Sequence, residues 1–217
     1  MNPELTMSLP LYQTSCGIAD MMMHTMERYF NQADNMEITD AVSESILRNI
    51  MKYGRILMEQ PRDYAARAEI MWSGSLAHNG LTGCGTGGGD WACHILEHEI
   101  SGMFGVPHGA GLAAIWGSWA RYVNHRAKHR FVKFARKVHG IEDFADEDEG
   151  IARGIAAMED FFRAIHMPTT LKELGVAPSE EQIAQMADGA LAAYGGDVGT
   201  VLPLKREDII RIYQLAR

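Results

Sequence analysis

Apolar side chains recur at helical spacing along most of this chain, and no run of four to eight β-branched residues alternates with period two. That pattern excludes most sheet-based architectures. Val42, Ile46, Ile50, Tyr53 and Leu57 form one stripe, with Glu44, Arg48, Lys52, Arg55 and Glu59 between them. Pro61 ends that helix, and the spacing predicts another over 63–78. Ser179 and Gln182 form a capping-box pair for a helix reaching Tyr194, and a last helix starts near Lys205. Gly140 stops a basic helix, and the acidic run Asp146 to Glu149 suits the positive end of the next. The expectation is one all-α domain over 1–217, a bundle of roughly eight to ten helices.

Composition narrows the class. With 28 acidic and 20 basic residues the formal charge is −8, which excludes a bulk-basic nucleic-acid binder. An apolar share of 47% supports a real core and excludes general disorder. Protonating all nine His would cancel the net charge below about pH 6. Met1-Asn2-Pro3-Glu4 is not a secretory signal, and the weakly polar run Gly109 to Ala120 is too short to span a bilayer. Cys16, Cys84 and Cys93 read as reduced thiols, small buried hydrophobes of a cytoplasmic protein. The basic stretch Arg121 to His139 also carries Phe131, Val132, Phe134 and Val138, so its charges read as a solvated helix face.

Three constellations could carry chemistry. Asp20 and His24 lie four apart on a Met-rich helix over 18–30, where a buried carboxylate needs a partner or a metal. The bland reading is a hydrogen-bonded core pair. His94 and His98 lie four apart on a helix starting near Asp90, and Val106-Pro107-His108-Gly109 begins the next, with Pro107 and His108 in its first turn. These five residues are candidate metal ligands. His94-Ile95-Leu96-Glu97-His98 also matches H-x-x-E-H, which leaves open a zinc hydrolase with Glu97 as general base. Gly83, Gly85 and Gly88 fit G-x-G-x-x-G, but a helix precedes them and no phosphate-binding Lys follows. That segment reads as a flexible turn delivering Asp90 to a helix N-cap, so no cofactor-binding residue is assigned. There is no G-x-S-x-G and no C-x-x-C.

Taken together, these motifs resemble the iron-containing alcohol dehydrogenases, most closely the butanol dehydrogenase-like branch. The resemblance runs through Asn2-Pro3-Glu4-Leu5-Thr6 to Leu9-Pro10, Gly17-Ile18-Ala19-Asp20 through His24 to Glu27, Gly89-Asp90-Trp91 through His94 and His98 to His108-Gly109, Met167-Pro168-Thr169-Thr170-Leu171 and Glu207-Asp208-Ile209-Ile210. It implies the all-helical, metal-binding C-terminal domain of that family, an α-domain of the dehydroquinate synthase-like type. By motif position the implied ligands of one divalent metal, Fe2+ or alternatively Zn2+, are Asp20, His24, His94 and His108. His98 is implied to be a non-ligand catalytic residue beside the metal, serving proton movement or nicotinamide placement. The implied chemistry is interconversion of small primary alcohols and aldehydes with NAD(P)H. The nucleotide would bind a separate N-terminal domain that these residues lack, so the chain alone is expected to be weakly active or inactive. A homo-oligomer is also implied. A non-enzymatic helical metal-binding or interaction module is the remaining alternative, and it predicts an exposed apolar face.

Overall fold

A computed structural model describes residues 1–217. Local chemistry sets most helix ends. Asp63 accepts from the Ala66 backbone N–H (2.7 Å) at the start of its helix, and Asp146 does the same for Glu149 (2.9 Å). The Ser179–Gln182 box closes in both directions, at 3.2 and 2.9 Å. Gly140 and Gly195 end helices with positive φ of 69° and 83°, where a side chain would be strained.

The helices are α1 (Leu11–Tyr29), α2 (Glu37–Glu59), α3 (Tyr64–His78), α4 (Ala92–Phe104), α5 (His108–Val123), α6 (Lys128–His139), α7 (Glu147–Ala164), α8 (Glu180–Tyr194) and α9 (Arg206–Ala216). Three short 3-10 turns accompany them, and the only sheet-like pairing is the isolated bridge Val198–Leu204. The all-α expectation holds. The first helix begins at Leu11 rather than Ile18, because polar Gln13, Thr14 and Ser15 mask its opening turns in the sequence.

The bundle is organised around α5, which is apolar on nearly every side and buried from Gly109 to Ala120. It packs against α1, α4, α7 and α9. Helices α2 and α3 cover the far side of α1, α6 joins α2 to α7, and α8 closes over α4 and α9. An aromatic cluster of Trp116, Trp119, Phe30, Phe131 and Phe134 holds the centre, with Phe30 stacked on Phe131 at 4.3 Å. No helix is long and apolar enough to cross a membrane.

Two readings are corrected. Arg130 does not face solvent: it is 3% exposed, chelates Asp40 through two 2.6 Å bonds, and donates to the Tyr29 carbonyl. The amphipathic stripe of α6 hid this because a long side chain can bury its head when a carboxylate from another helix meets it. Cys84 is exposed, whereas Cys16 and Cys93 are buried thiols. Leu5, Leu9, Tyr12 and Trp72 remain exposed on the turn before α1, on α1 and on α3.

Candidate metal centre

Three helices converge where the candidate ligands lie. One turn of α1 carries Asp20 and His24, α4 carries His94 and His98, and α5 opens with His108, Pro107 being its cap rather than its first residue. The approach is close enough to require glycine. A Cβ at Gly109 would stand 2.0 Å from the Cys16 carbonyl oxygen, and one at Gly111 would stand 2.4 Å from Glu97 Oε1.

The glycine-rich turn feeds α4 as expected, with one shift in register. Gly85, Gly87, Gly88 and Gly89 all have positive φ, and Trp91, not Asp90, occupies the N-cap, itself at φ 63°. Asp90 is buried. It accepts from Ala92 N–H (3.1 Å) and pins the 200–201 segment through the Thr200 and Val201 N–H groups, each at 2.7 Å. Burial outweighs these bonds and pushes its carboxyl up to about 6. Trp91 donates to the Gly88 carbonyl (2.6 Å) and lies under the Arg28 guanidinium. Its ring meets His24 and His94 edge-on at 5.3 and 5.1 Å.

Asp20 Oδ1 is the focus of the cluster. His24 Nε2 and His94 Nε2 lie 3.6 Å from it, and His108 Nε2 lies 3.5 Å away. Asp20 Oδ1 and His94 Nε2 are buried with no hydrogen-bond partner. Ligand atoms about 2.1 Å from a tetrahedral cation lie about 3.4 Å apart, and the donor atoms of Asp20, His94 and His108 lie within 4.8 Å of one another, so these three fit a shared ion, while His24 meets the set through Asp20 alone. One carboxylate and three imidazoles suit Fe2+ or Zn2+. The residues present therefore fit the implied metal.

Two buried carboxylates stand behind the imidazoles. Glu27 Oε2 accepts from His94 Nδ1, while its Oε1 accepts from the Cys93 N–H at 2.6 Å. Glu97 Oε2 accepts from His108 Nδ1. Each bond fixes the tautomer that leaves Nε2 for the cluster. Glu97 is fully buried, with Oε1 packed against Gly111, so it has no face to offer a substrate water. That geometry disfavours Glu97 as a hydrolytic base. The His98 ring lies 6.4 Å from that of His94 and 5.3 Å from that of His108, and Glu97, His98 and His108 bring donor atoms within 4.8 Å of one another. His98 is exposed at the edge of the cluster, apart from the Asp20-centred set.

The electrostatics follow the same division. Burial disfavours the charge on Asp20, but His108, His94 and His24 outweigh it and hold the carboxyl well below the usual range. Burial also opposes protonation of His94 and His108, yet Asp20 with Glu27, and Asp20 with Glu97, raise them to about 9. His24 has no carboxylate behind it, and burial takes it down to about 4 despite Asp20. Burial and then His108 lower His98.

Sequence reasoning missed three contributors. His78, at the end of α3, places Nε2 3.4 Å from Asp20 Oδ2 and its ring 4.0 Å from that of His24. Glu27 closes the family-like stretch of α1, but its role behind His94, 67 residues away, has no local spacing to mark it. Trp91 was visible only as a neighbour of Asp90.

Comparison with known proteins agrees with this arrangement. The profile of the Fe-containing alcohol dehydrogenase family, C-terminal, matches residues 14–217. NADH-dependent butanol dehydrogenase A of Clostridium acetobutylicum is 36% identical over 215 residues, which cover 99% of this chain and 54% of that protein. NADPH-dependent aldehyde reductase YqhD of Escherichia coli is 30% identical over 219 residues, or 100% of this chain and 55% of that protein. The crystal structure of NADH-dependent butanol dehydrogenase A from Thermotoga maritima superposes with a TM-score of 0.91 at 35% identity, over 99% of this chain and 54% of that one. The chain thus spans about half the length of the curated relatives it matches. These residues belong to the Fe-containing alcohol dehydrogenase family and correspond to its C-terminal part.

Proposed function

We propose that this chain is the metal-binding half of an NAD(P)-dependent alcohol dehydrogenase that interconverts small primary alcohols and aldehydes. The observation that carries the reading is the convergence of three imidazole Nε2 atoms on Asp20 Oδ1 at 3.5 to 3.6 Å. Asp20, His24, His94 and His108 are the ligands of one tightly held divalent cation, Fe2+ or alternatively Zn2+. When bound, that cation supplies Lewis-acid polarisation of an alcohol or carbonyl oxygen.

The chain's own residues prepare the site. Glu27 and Glu97 aim two imidazoles, and Asp20 brings the negative charge that offsets a cation. Trp91 walls one side of the cluster and keeps water from His24 and His94. His98, exposed beside His108, passes the reaction's proton to solvent. Relatives named for NADH and for NADPH are both similar to this chain, so the reading extends to either nucleotide. The nucleotide is held by a dinucleotide-binding unit outside these 217 residues. The assembled enzyme is a cytoplasmic homo-oligomer.

Metal analysis of the purified chain, loaded anaerobically with Fe2+ or with Zn2+, tests this. One tight equivalent is expected, lost in Asp20→Ala and in His108→Ala. Full occupancy in both variants would overturn the ligand set. These residues alone should give little NAD(P)-linked butanol oxidation, and robust turnover by them would overturn the assignment of the nucleotide to another unit.

A further inference from the structure

A buried charge needs a counter-charge, and the fold supplies one for Arg130 in Asp40, which takes two bonds at 2.6 Å. Arg67, on α3, is as deeply buried, at 3% exposure, and has none. No carboxylate oxygen lies within 4.0 Å of its guanidinium, and burial acts on it unopposed, lowering it from the ordinary arginine value. Its Nε donates to the Pro61 carbonyl at 2.8 Å, and its Nη1 donates to Thr14 Oγ1 at 3.0 Å. These bonds engage two of the five guanidinium N–H groups. Nη2 is buried without a partner.

Arg67 and Thr14, the two ends of that Nη1 bond, both line a cavity of about 340 Å3 between α1, α3 and the turn before α1. Ligand pockets span about 300 to 1,000 Å3, so this one has room for a small molecule. Its apolar wall is made by Leu9, Met21, Ile70 and Met71, and no Asp or Glu lines it. Gly74 keeps the wall open, since a Cβ there would stand 2.9 Å from the Met21 thioether. Unbranched Met side chains adapt to the shape of what they meet. None of the four proposed metal ligands lines the cavity.

The ligand chemistry follows from these two halves. A guanidinium with free N–H groups matches a carboxylate, which it can hold through paired bonds. A dianionic phosphate would bring a second negative charge against a wall that holds no other Lys or Arg. The apolar wall requires a hydrocarbon body behind the head group.

We propose that this cavity binds a short-chain monocarboxylate, with its head on the Arg67 guanidinium and its alkyl chain against Met21, Ile70 and Met71. The site is independent of the metal centre and of the reading of Asp20 as a ligand.

The test is calorimetric titration of the metal-free chain with hexanoate, with hexan-1-ol and with inorganic phosphate. Hexanoate should bind as one equivalent, and hexan-1-ol and phosphate should each bind about tenfold more weakly or worse. Arg67→Met should weaken hexanoate binding by about tenfold or more. Met71→Trp fills the cavity while leaving Arg67 in place, and it should also weaken hexanoate by at least that factor. It carries the test where circular dichroism shows that Arg67→Met does not fold. Absence of hexanoate binding to the folded wild type would overturn the proposal. Equal affinity for hexanoate and hexan-1-ol would overturn the role of the guanidinium, and equal affinity for hexanoate and phosphate would overturn that of the apolar wall. Hexanoate binding unchanged in Met71→Trp would place the ligand elsewhere and overturn the site.

Discussion

Replacing Glu27 with Gln probes the support of the site without touching a proposed ligand. Glu27 is 1% exposed and serves three donors at once, the Cys93 and His94 N–H groups on Oε1 and His94 Nδ1–H on Oε2. The backbone bonds cap the otherwise unpaired opening turn of α4, and the ring bond sets the tautomer of His94. Gln has one oxygen, so its amide NH2 must face either the His94 ring or the backbone N–H groups of Cys93 and His94. If it faces the ring, the ring flips its tautomer and carries a hydrogen on Nε2, where the metal lone pair is needed. If it faces the backbone, the helix terminus loses its acceptor. A buried donor left unpaired costs about 1 to 3 kcal/mol, and losing the oriented carboxylate should weaken metal binding about 10- to 100-fold. Each tenfold loss equals about 1.4 kcal/mol, so the effect is large beside a domain stability of about 5 to 15 kcal/mol. Competition with a chromophoric chelator measures the affinity, and urea unfolding of the metal-free chain measures the stability. Metal affinity within twofold of wild type, together with unchanged stability, would refute the reasoning.

Other consequences follow from charge and burial. His94 and His108 are raised from 6.5 to about 9, so at neutral pH a metal must displace their protons. Affinity should therefore rise from pH 6 to 9, with about two protons released per tight equivalent near pH 7; calorimetry in buffers of different ionisation enthalpy counts them. In the metal-free chain the same two groups stabilise the fold fully below pH 6.5, and that gain is lost as pH rises through about 9. His139, away from the site, is pushed down to about 4, first by burial and then by Arg55. The fold excludes its proton, so stability falls as pH drops from 6.5 toward 4, by about 2 kcal/mol at pH 5. His139→Leu should remove that component in urea unfolding at pH 7 and pH 5. Asp40→Asn leaves Arg130 buried without its counter-charge and should cost about 3 to 5 kcal/mol, read as a lower urea midpoint.

What the sequence revealed depended on how local each cause is. The Ser179–Gln182 box, the Asp63 and Asp146 caps and the Gly140 stop act within a few residues, and each helix they bound lies where the pattern put it. Asp20 with His24, and His94 with His98, are equally local, since one helical turn separates each pair. Spacing alone left five candidates, and the family resemblance, not the spacing, implied four ligands with His98 apart. Only the packing of α1, α4 and α5 turns His108 toward Asp20 and leaves His98 at the edge. Glu27 and His78 come from contacts 67 and 58 residues apart, beyond any spacing rule. Arg130 was masked for the same reason, because its partner Asp40 is 90 residues away.

Anomalous diffraction from crystals of the purified chain, recorded on both sides of the metal absorption edge, locates the cation directly. The account predicts the strongest peak among Asp20 Oδ1 and the Nε2 atoms of His24, His94 and His108, at about 2.0 to 2.2 Å from each. A strongest peak held instead by His98 and Glu97, or a map with none near Asp20 after metal loading, would contradict it.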